Sequence, residues 1–134
     1  MTTLDQESAT AANAPNLGLV TPYLVVRHGR PLLEFLKRAF NATELECFAR
    51  ADGGVLHAEV RVGDSVLMLG EPQPDGAPIM RTTLHVRAHD VDAAYSRAIA
   101  AGATSLREPS EQPHAGRIAG VADPEGNHWY FASP

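Results

Sequence analysis

The chain repeats itself. A run of β-branched and aromatic residues, a helical stretch and three further strand-like runs occur between Leu19 and Leu69 and recur between Arg81 and Phe131, offset by about sixty residues. In that alignment Thr21 matches Thr83, Ala42-Thr43 matches Ala103-Thr104, and Met68 matches Tyr130. One such unit is a four-stranded sheet with a helix on one face and nothing on the other, too little to be stable alone. The repeat predicts an α+β domain of two βαβββ modules whose open sheet faces cover each other around a cavity.

Module one is assigned to residues 19–70, a connector to 71–80 and module two to 81–134, within a single domain over 17–134. Leu19 to Arg27 reads as a strand, with Pro22 near its start. Leu32, Leu33, Leu36, Ala39 and Phe40 fall at helical spacing after Pro31. Thr43 to Arg50 and Val55 to Val62 form a hairpin through Ala51-Asp52-Gly53-Gly54, and Ser65 to Leu69 follows as the fourth strand. Three prolines between Glu71 and Pro78 mark the connector. In module two, Arg81 to Ala88 is a strand, and the next helix has Asp90 as N-cap, a stripe at Val91, Ala94, Tyr95 and Ala98, and Gly102 as its stop. Thr104 to Arg107 and Arg117 to Ala122 are strands separated by a polar loop carrying Pro109, Pro113, His114 and Gly116, a place for a flap. Asp123-Pro124-Glu125-Gly126 is a turn, and His128 to Phe131 closes the module.

With 134 residues and 44% hydrophobic content, the chain can bury a core without disulfide or structural metal. Sixteen acidic against eleven basic residues give a charge of -5, and the basic ones are scattered, which excludes a nucleic-acid role. The single cysteine, Cys47, reads as a strand residue and suits a reducing compartment. Residues 1–16 lack a basic region followed by an apolar run, so neither a secretion signal nor a membrane anchor is expected. They read as a disordered tail on a cytoplasmic protein.

The repeated βαβββ unit has further company. Thr21-Pro22-Tyr23-Leu24-Val25-Val26, Phe35-Leu36-Lys37-Arg38-Ala39-Phe40, the run His57 to Leu69 and Asp123-Pro124-Glu125-Gly126-Asn127 together resemble the vicinal oxygen chelate superfamily, which includes glyoxalases, bleomycin-resistance proteins and extradiol dioxygenases. The resemblance spans Leu19 to Pro134. It implies a homodimer with ligand sites near the module or subunit interface. It also implies four metal-ligand positions, carried over to Thr21, Met68, Thr83 and Tyr130.

Those four residues do not suit a hard divalent cation, which needs imidazole or carboxylate donors. The usual metal site is therefore expected to be absent. Strand alternation turns Leu67, Leu69, Trp129 and Phe131 toward the helices and Tyr23, Val66, Met68, Thr83, His85, Arg87, His128 and Tyr130 toward the cavity. The apolar series Leu56, Ala58, Val60 and Val62 leaves His57, Glu59 and Arg61 on the cavity side.

Three readings fit that cluster. His57, Glu59, His85 and His128 could build a displaced site for a divalent metal. His57 with Glu59, or His85, could serve as a metal-free general base in a glyoxalase-like lyase or isomerase. Alternatively the polar groups are recognition donors and acceptors in an apolar pocket that sequesters a metabolite or antibiotic without cofactor, as bleomycin-resistance proteins do, with Tyr23, Met68, Thr83, Arg87, His128 and Tyr130 as ligand contacts. The third is preferred, because loss of all four usual ligands is what a binding relative would show. His28 and His89 sit at strand-to-helix junctions and read as solvent or capping residues, Trp129 as core, and His114 with Arg117 as loop surface. No Ser/His/Asp elbow, phosphate-cradling glycine loop, CxxC pair or HExxH helix occurs.

Overall fold

The computed structural model describes residues 18–134; the expected tail at 1–16 lies outside them. Module one comprises β1 (Tyr23–Val25), α1 (Gly29–Phe40), β2 (Thr43–Ala49), β3 (Val55–Val62) and β4 (Ser65–Gly70). Module two comprises β5 (Thr83–Arg87), α2 (Val91–Ala100), β6 (Thr104–Gln112), β7 (Gly116–Ala122) and β8 (His128–Ala132). Each module is one four-stranded mixed sheet, ordered β1-β4-β3-β2 and β5-β8-β7-β6. In both, the first strand runs parallel to the last, Tyr23 opposite Met68 and His85 opposite Tyr130. The duplication read from sequence is thus a duplication of register.

Capping differs between the two helices. Asp90 accepts from Ala93 N at 3.0 Å, a side-chain N-cap for α2. His28, the residue before α1, makes no such bond. The first-turn donor of α1 is instead satisfied from a distance: Glu71 Oε2 accepts from Gly29 N at 2.9 Å and from Val55 N at 3.0 Å. Glu125 Oε1, from module two, accepts from His28 N at 2.8 Å and ties the modules together.

Alternation along the strands sends Leu67, Leu69, Trp129 and Phe131 into the core, as expected. That core is shared. Leu32, Leu33, Phe35 and Leu36 of α1, Val91 and Ala98 of α2, and the buried rungs of both sheets form one continuous cluster. The helices pack on each other, and Phe40 at the end of α1 reaches across to module two, its ring 4.9 Å from Trp129 and 6.0 Å from Phe131.

This arrangement corrects the expectation that the open sheet faces cover each other within the chain. Each sheet has one apolar face, and the two apolar faces share the helical layer between them because that buries the most surface from water. The polar faces are left outside. Tyr23 is 43% exposed, and Thr83, His85 and Arg87 are exposed.

Three local readings change as well. β1 begins at Tyr23, so Thr21 precedes the strand, although Pro22 O already accepts from Met68 N at 2.9 Å. β6 continues through Pro109 to Gln112, which reduces the expected flap to a short turn before Gly116. Pro109 is tolerated because β6 is an edge strand interrupted by bulges between Ser105 and Arg107 and between Arg107 and Ser110. Leu56, assigned to the apolar series, is 36% exposed, while Glu59, three residues along the same strand, is only 8% exposed. Among the described residues no helix is long and apolar enough to cross a membrane.

Candidate functional site

The open face of the first sheet carries three of the residues singled out from sequence in one hydrogen-bonded line. Tyr23, Met68, Glu59 and Glu46 lie in one row across β1, β4, β3 and β2. His57 and Glu59, two apart on β3, share that face, and Nε2 of His57 is 3.2 Å from Oε2 of Glu59. The other ring nitrogen, Nδ1, is 3.3 Å from the Tyr23 hydroxyl. Tyr23 reaches across the sheet to make that contact because Gly70 lies beneath it: a Cβ at position 70 would sit 2.7 Å from the phenolic oxygen. Burial of that end of the side chain pushes the Tyr23 phenol up from its ordinary value. The Phe48 ring stacks on the other side of His57, centroids 6.5 Å apart, and is 52% exposed.

The second sheet presents an aromatic and basic face. His85, Tyr130, Gly120 and Arg107 form a row across β5, β8, β7 and β6. His85 stacks on Tyr130 at 5.6 Å and 28°, and His128 meets the same ring edge-on at 6.2 Å. A Cβ on Gly120 would come within 2.6 Å of Tyr130 Cε1, so the ring lies flat on the strand only because that residue has no side chain. Thr83 and Arg87 flank the stack along β5.

A cavity of about 620 Å³ lies between the modules, bounded by Pro22, the β3–β4 turn, β5 and Trp129. Of the predicted ligand contacts only Arg87 lines it, with Val66 and His85 from the wider series expected to face the cavity. Within one chain His57 and Glu59 are on one sheet and His85 and His128 on the other, so the four do not converge. Among the described residues no group of three His, Cys, Asp or Glu side chains is placed to hold a metal ion. At the four positions where the resemblance puts ligands, Thr21, Met68, Thr83 and Tyr130, the donors are two hydroxyls, a thioether and a phenol, a set that does not fit a hard cation.

The remaining candidates have structural surroundings. His28 Nδ1 is 3.5 Å from Glu125. His89 and His114 are exposed. Arg117 forks onto Asp92 of α2 at 2.6 and 2.8 Å, which holds the Asp92 carboxyl below its ordinary range and raises Arg117. Cys47 is half-buried in β2. Sequence reasoning missed Gly70, Gly120 and Phe48. A glycine inside an otherwise apolar strand is the available signal for Gly120, and a glycine closing an apolar run is the one for Gly70.

The chain matches a known family model, the Glyoxalase/Bleomycin resistance protein/Dioxygenase superfamily, over residues 17–131. The chain belongs to that superfamily. Among curated proteins it is 33% identical over 128 residues to the uncharacterized protein Mb0911c of Mycobacterium bovis, covering 86% of this chain and 82% of that one. The uncharacterized protein Rv0887c of Mycobacterium tuberculosis is equally similar, with 74% of its length covered. Among solved structures, TioX from Micromonospora sp. ML1 has a TM-score of 0.74 at 24% identity, covering 87% of this chain and 98% of that one. The fosfomycin resistance protein FosX from Mesorhizobium loti has a TM-score of 0.60 at 18% identity, covering 89% and 93%. These structural likenesses establish the vicinal oxygen chelate fold and no more.

Proposed function

We propose that this superfamily member binds a mid-sized, partly aromatic metabolite or antibiotic without a metal ion and sequesters it, in the manner of a bleomycin-resistance protein. The observation that carries this reading is the stack of exposed His85 on Tyr130 beside Arg87, on a face whose resembled ligand positions hold Thr83 and Tyr130, a hydroxyl and a phenol. A flat ring with an imidazole against it and a guanidinium nearby offers stacking area, a hydrogen bond from the phenol and a charge for an acidic substituent. Shallow faces do not sequester anything on their own.

The reading therefore includes a homodimer in which the first sheet of one protomer closes over the second sheet of its partner. Exposed Glu46, on a first face that also carries Arg61, offers a charge partner for Arg87 or Arg107 on the second. A two-fold arrangement would create two equivalent enclosed sites. Sedimentation of the purified chain should give a dimer, and titration with bleomycin and a panel of aromatic antibiotics in a calorimeter should give saturable binding to metal-free protein. Replacing Tyr130 by Phe should weaken that binding by about 1 kcal/mol, the scale of one neutral hydrogen bond. A monomer that binds no member of the panel, or stoichiometric metal lost in His57→Ala or His85→Ala, would overturn the proposal.

A further inference from the structure

We propose that Tyr23, His57 and Glu59 act as a metal-independent proton relay whose ligand-facing group is the Tyr23 phenol rather than the histidine. Hydrogen-bond capacity fixes where the protons sit. A carboxylate only accepts, so the 3.2 Å contact to Glu59 requires the proton of neutral His57 to be on Nε2. Nδ1 is then an acceptor, and the 3.3 Å contact makes Tyr23 the donor. Both imidazole nitrogens are thereby engaged inside the line. The Tyr23 oxygen keeps lone pairs free, and the residue as a whole is 43% exposed on the open face although its phenolic end is partly desolvated.

Each partner fits this order. Burial that pushes Tyr23 up keeps its proton in place at rest, ready to be passed inward. Gly70 is what lets the phenol lie across the sheet to the imidazole. In the reaction a substrate X–H bond breaks and its proton goes to the Tyr23 oxygen, while the Tyr23 proton moves to His57 Nδ1. The bonding electron pair stays on the substrate, and the imidazolium is held by the Glu59 carboxylate through Nε2–H.

The chemistry limits the substrate. An imidazole is a weak base, so only an activated hydrogen is within reach, such as that of an electron-poor aromatic carbon acid or a phenol. Phe48 and Tyr23 on either side of His57 form a shelf of rings suited to a planar molecule. In the proposed dimer the relay and the His85–Tyr130 stack would face one cavity, but they are read separately: the His57 tautomer reports the relay alone, and the loss of binding in Tyr130→Phe reports the stack.

The test uses 5-nitrobenzisoxazole, whose ring opens with N–O cleavage to a coloured nitrophenolate when its C–H proton is removed. The full-length protein should accelerate this above an equal concentration of imidazole. Tyr23→Phe and His57→Gln should each lose roughly tenfold or more while keeping the melting temperature. Glu59→Gln, which keeps an acceptor but removes the charge, should move the pH profile of the rate. Wild-type protein no faster than Tyr23→Phe overturns the relay. Independently, long-range ¹H–¹⁵N NMR should find His57 as the Nε2–H tautomer, with an Nδ1 resonance that moves toward a free imine nitrogen in Tyr23→Phe; an Nδ1–H tautomer or an unmoved resonance overturns it as well.

Discussion

Trp129 donates its indole N–H to Asp123 Oδ2 at 2.8 Å, and that carboxylate organises the whole β7–β8 turn. It also accepts from Glu125 N at 2.8 Å, Asn127 N at 3.1 Å and the Asn127 side-chain amide at 3.1 Å. Asp123 is 5% exposed, so each donor it serves would be left unpaired on its removal. Asp123→Ala should therefore destabilise the fold by about 2–4 kcal/mol, since hydrogen bonds to charged groups are worth about 1.5–3 kcal/mol and stranded donors add to the loss. Urea unfolding followed by Trp129 fluorescence measures it, and a change below about 1 kcal/mol would show that water replaces the carboxylate.

Glycine at position 120 is predicted to be a packing requirement, not a backbone one. Its φ is not in the left-handed region, and the obstruction to a side chain is the Tyr130 ring. Gly120→Ala should lift that ring and cost about 1–3 kcal/mol. The diagnostic readout is the ring-current shift that Tyr130 imposes on the His85 imidazole protons, which should collapse in the variant; an unchanged shift means the ring does not rest on the strand.

Phe40 couples the modules. Placed at the end of α1 yet packed on Trp129 and Phe131, it makes the first module's helix part of the second module's core. Phe40→Ala should cost about 3 kcal/mol and broaden the denaturant transition, because the modules lose a shared contact. A transition that moves without losing slope would place the coupling in the α1–α2 contact alone.

Among the described residues, the Asp92–Arg117 pair is a surface contributor to acid sensitivity. Arg117 holds Asp92 below its ordinary range, chiefly through its hydrogen bonds, so this pair stabilises the fold above the unfolded carboxyl pKa of about 3.9 and stops doing so as pH falls through the lower folded value. Asp92→Asn should melt slightly earlier than wild type at neutral pH and identically in strong acid. Both side chains are on the surface, so added salt should shrink the difference.

Periodicity and punctuation made most of the architecture readable from sequence. The Asp90 cap and the stripe from Val91 to Ala98 place α2, and the alternation around Trp129 and Phe131 puts those rings in the core. His57 and Glu59 could be put on one face because residues two apart on a strand always share one. Three things were out of reach. Glu71 caps α1 from forty-two residues away, a contact no local pattern encodes. Tyr23 meets His57 only because Gly70 leaves room, which depends on strand neighbours rather than on sequence neighbours. The mutual orientation of the modules is not legible, because a repeat states that two apolar faces exist and is silent on which pair of faces meets.

The shared helical layer separates two kinds of selection. Residues that keep the chain folded, such as Phe35, Leu36, Trp129 and Phe131, sit in the middle of the molecule, while Tyr23, His57, His85, Arg87 and Tyr130 sit on its two outer skins. A change of chemistry on a skin disturbs few core contacts, so new donors can be tried there at little thermodynamic risk. Such a scaffold can exchange one reaction, or one ligand, for another while its interior stays the same.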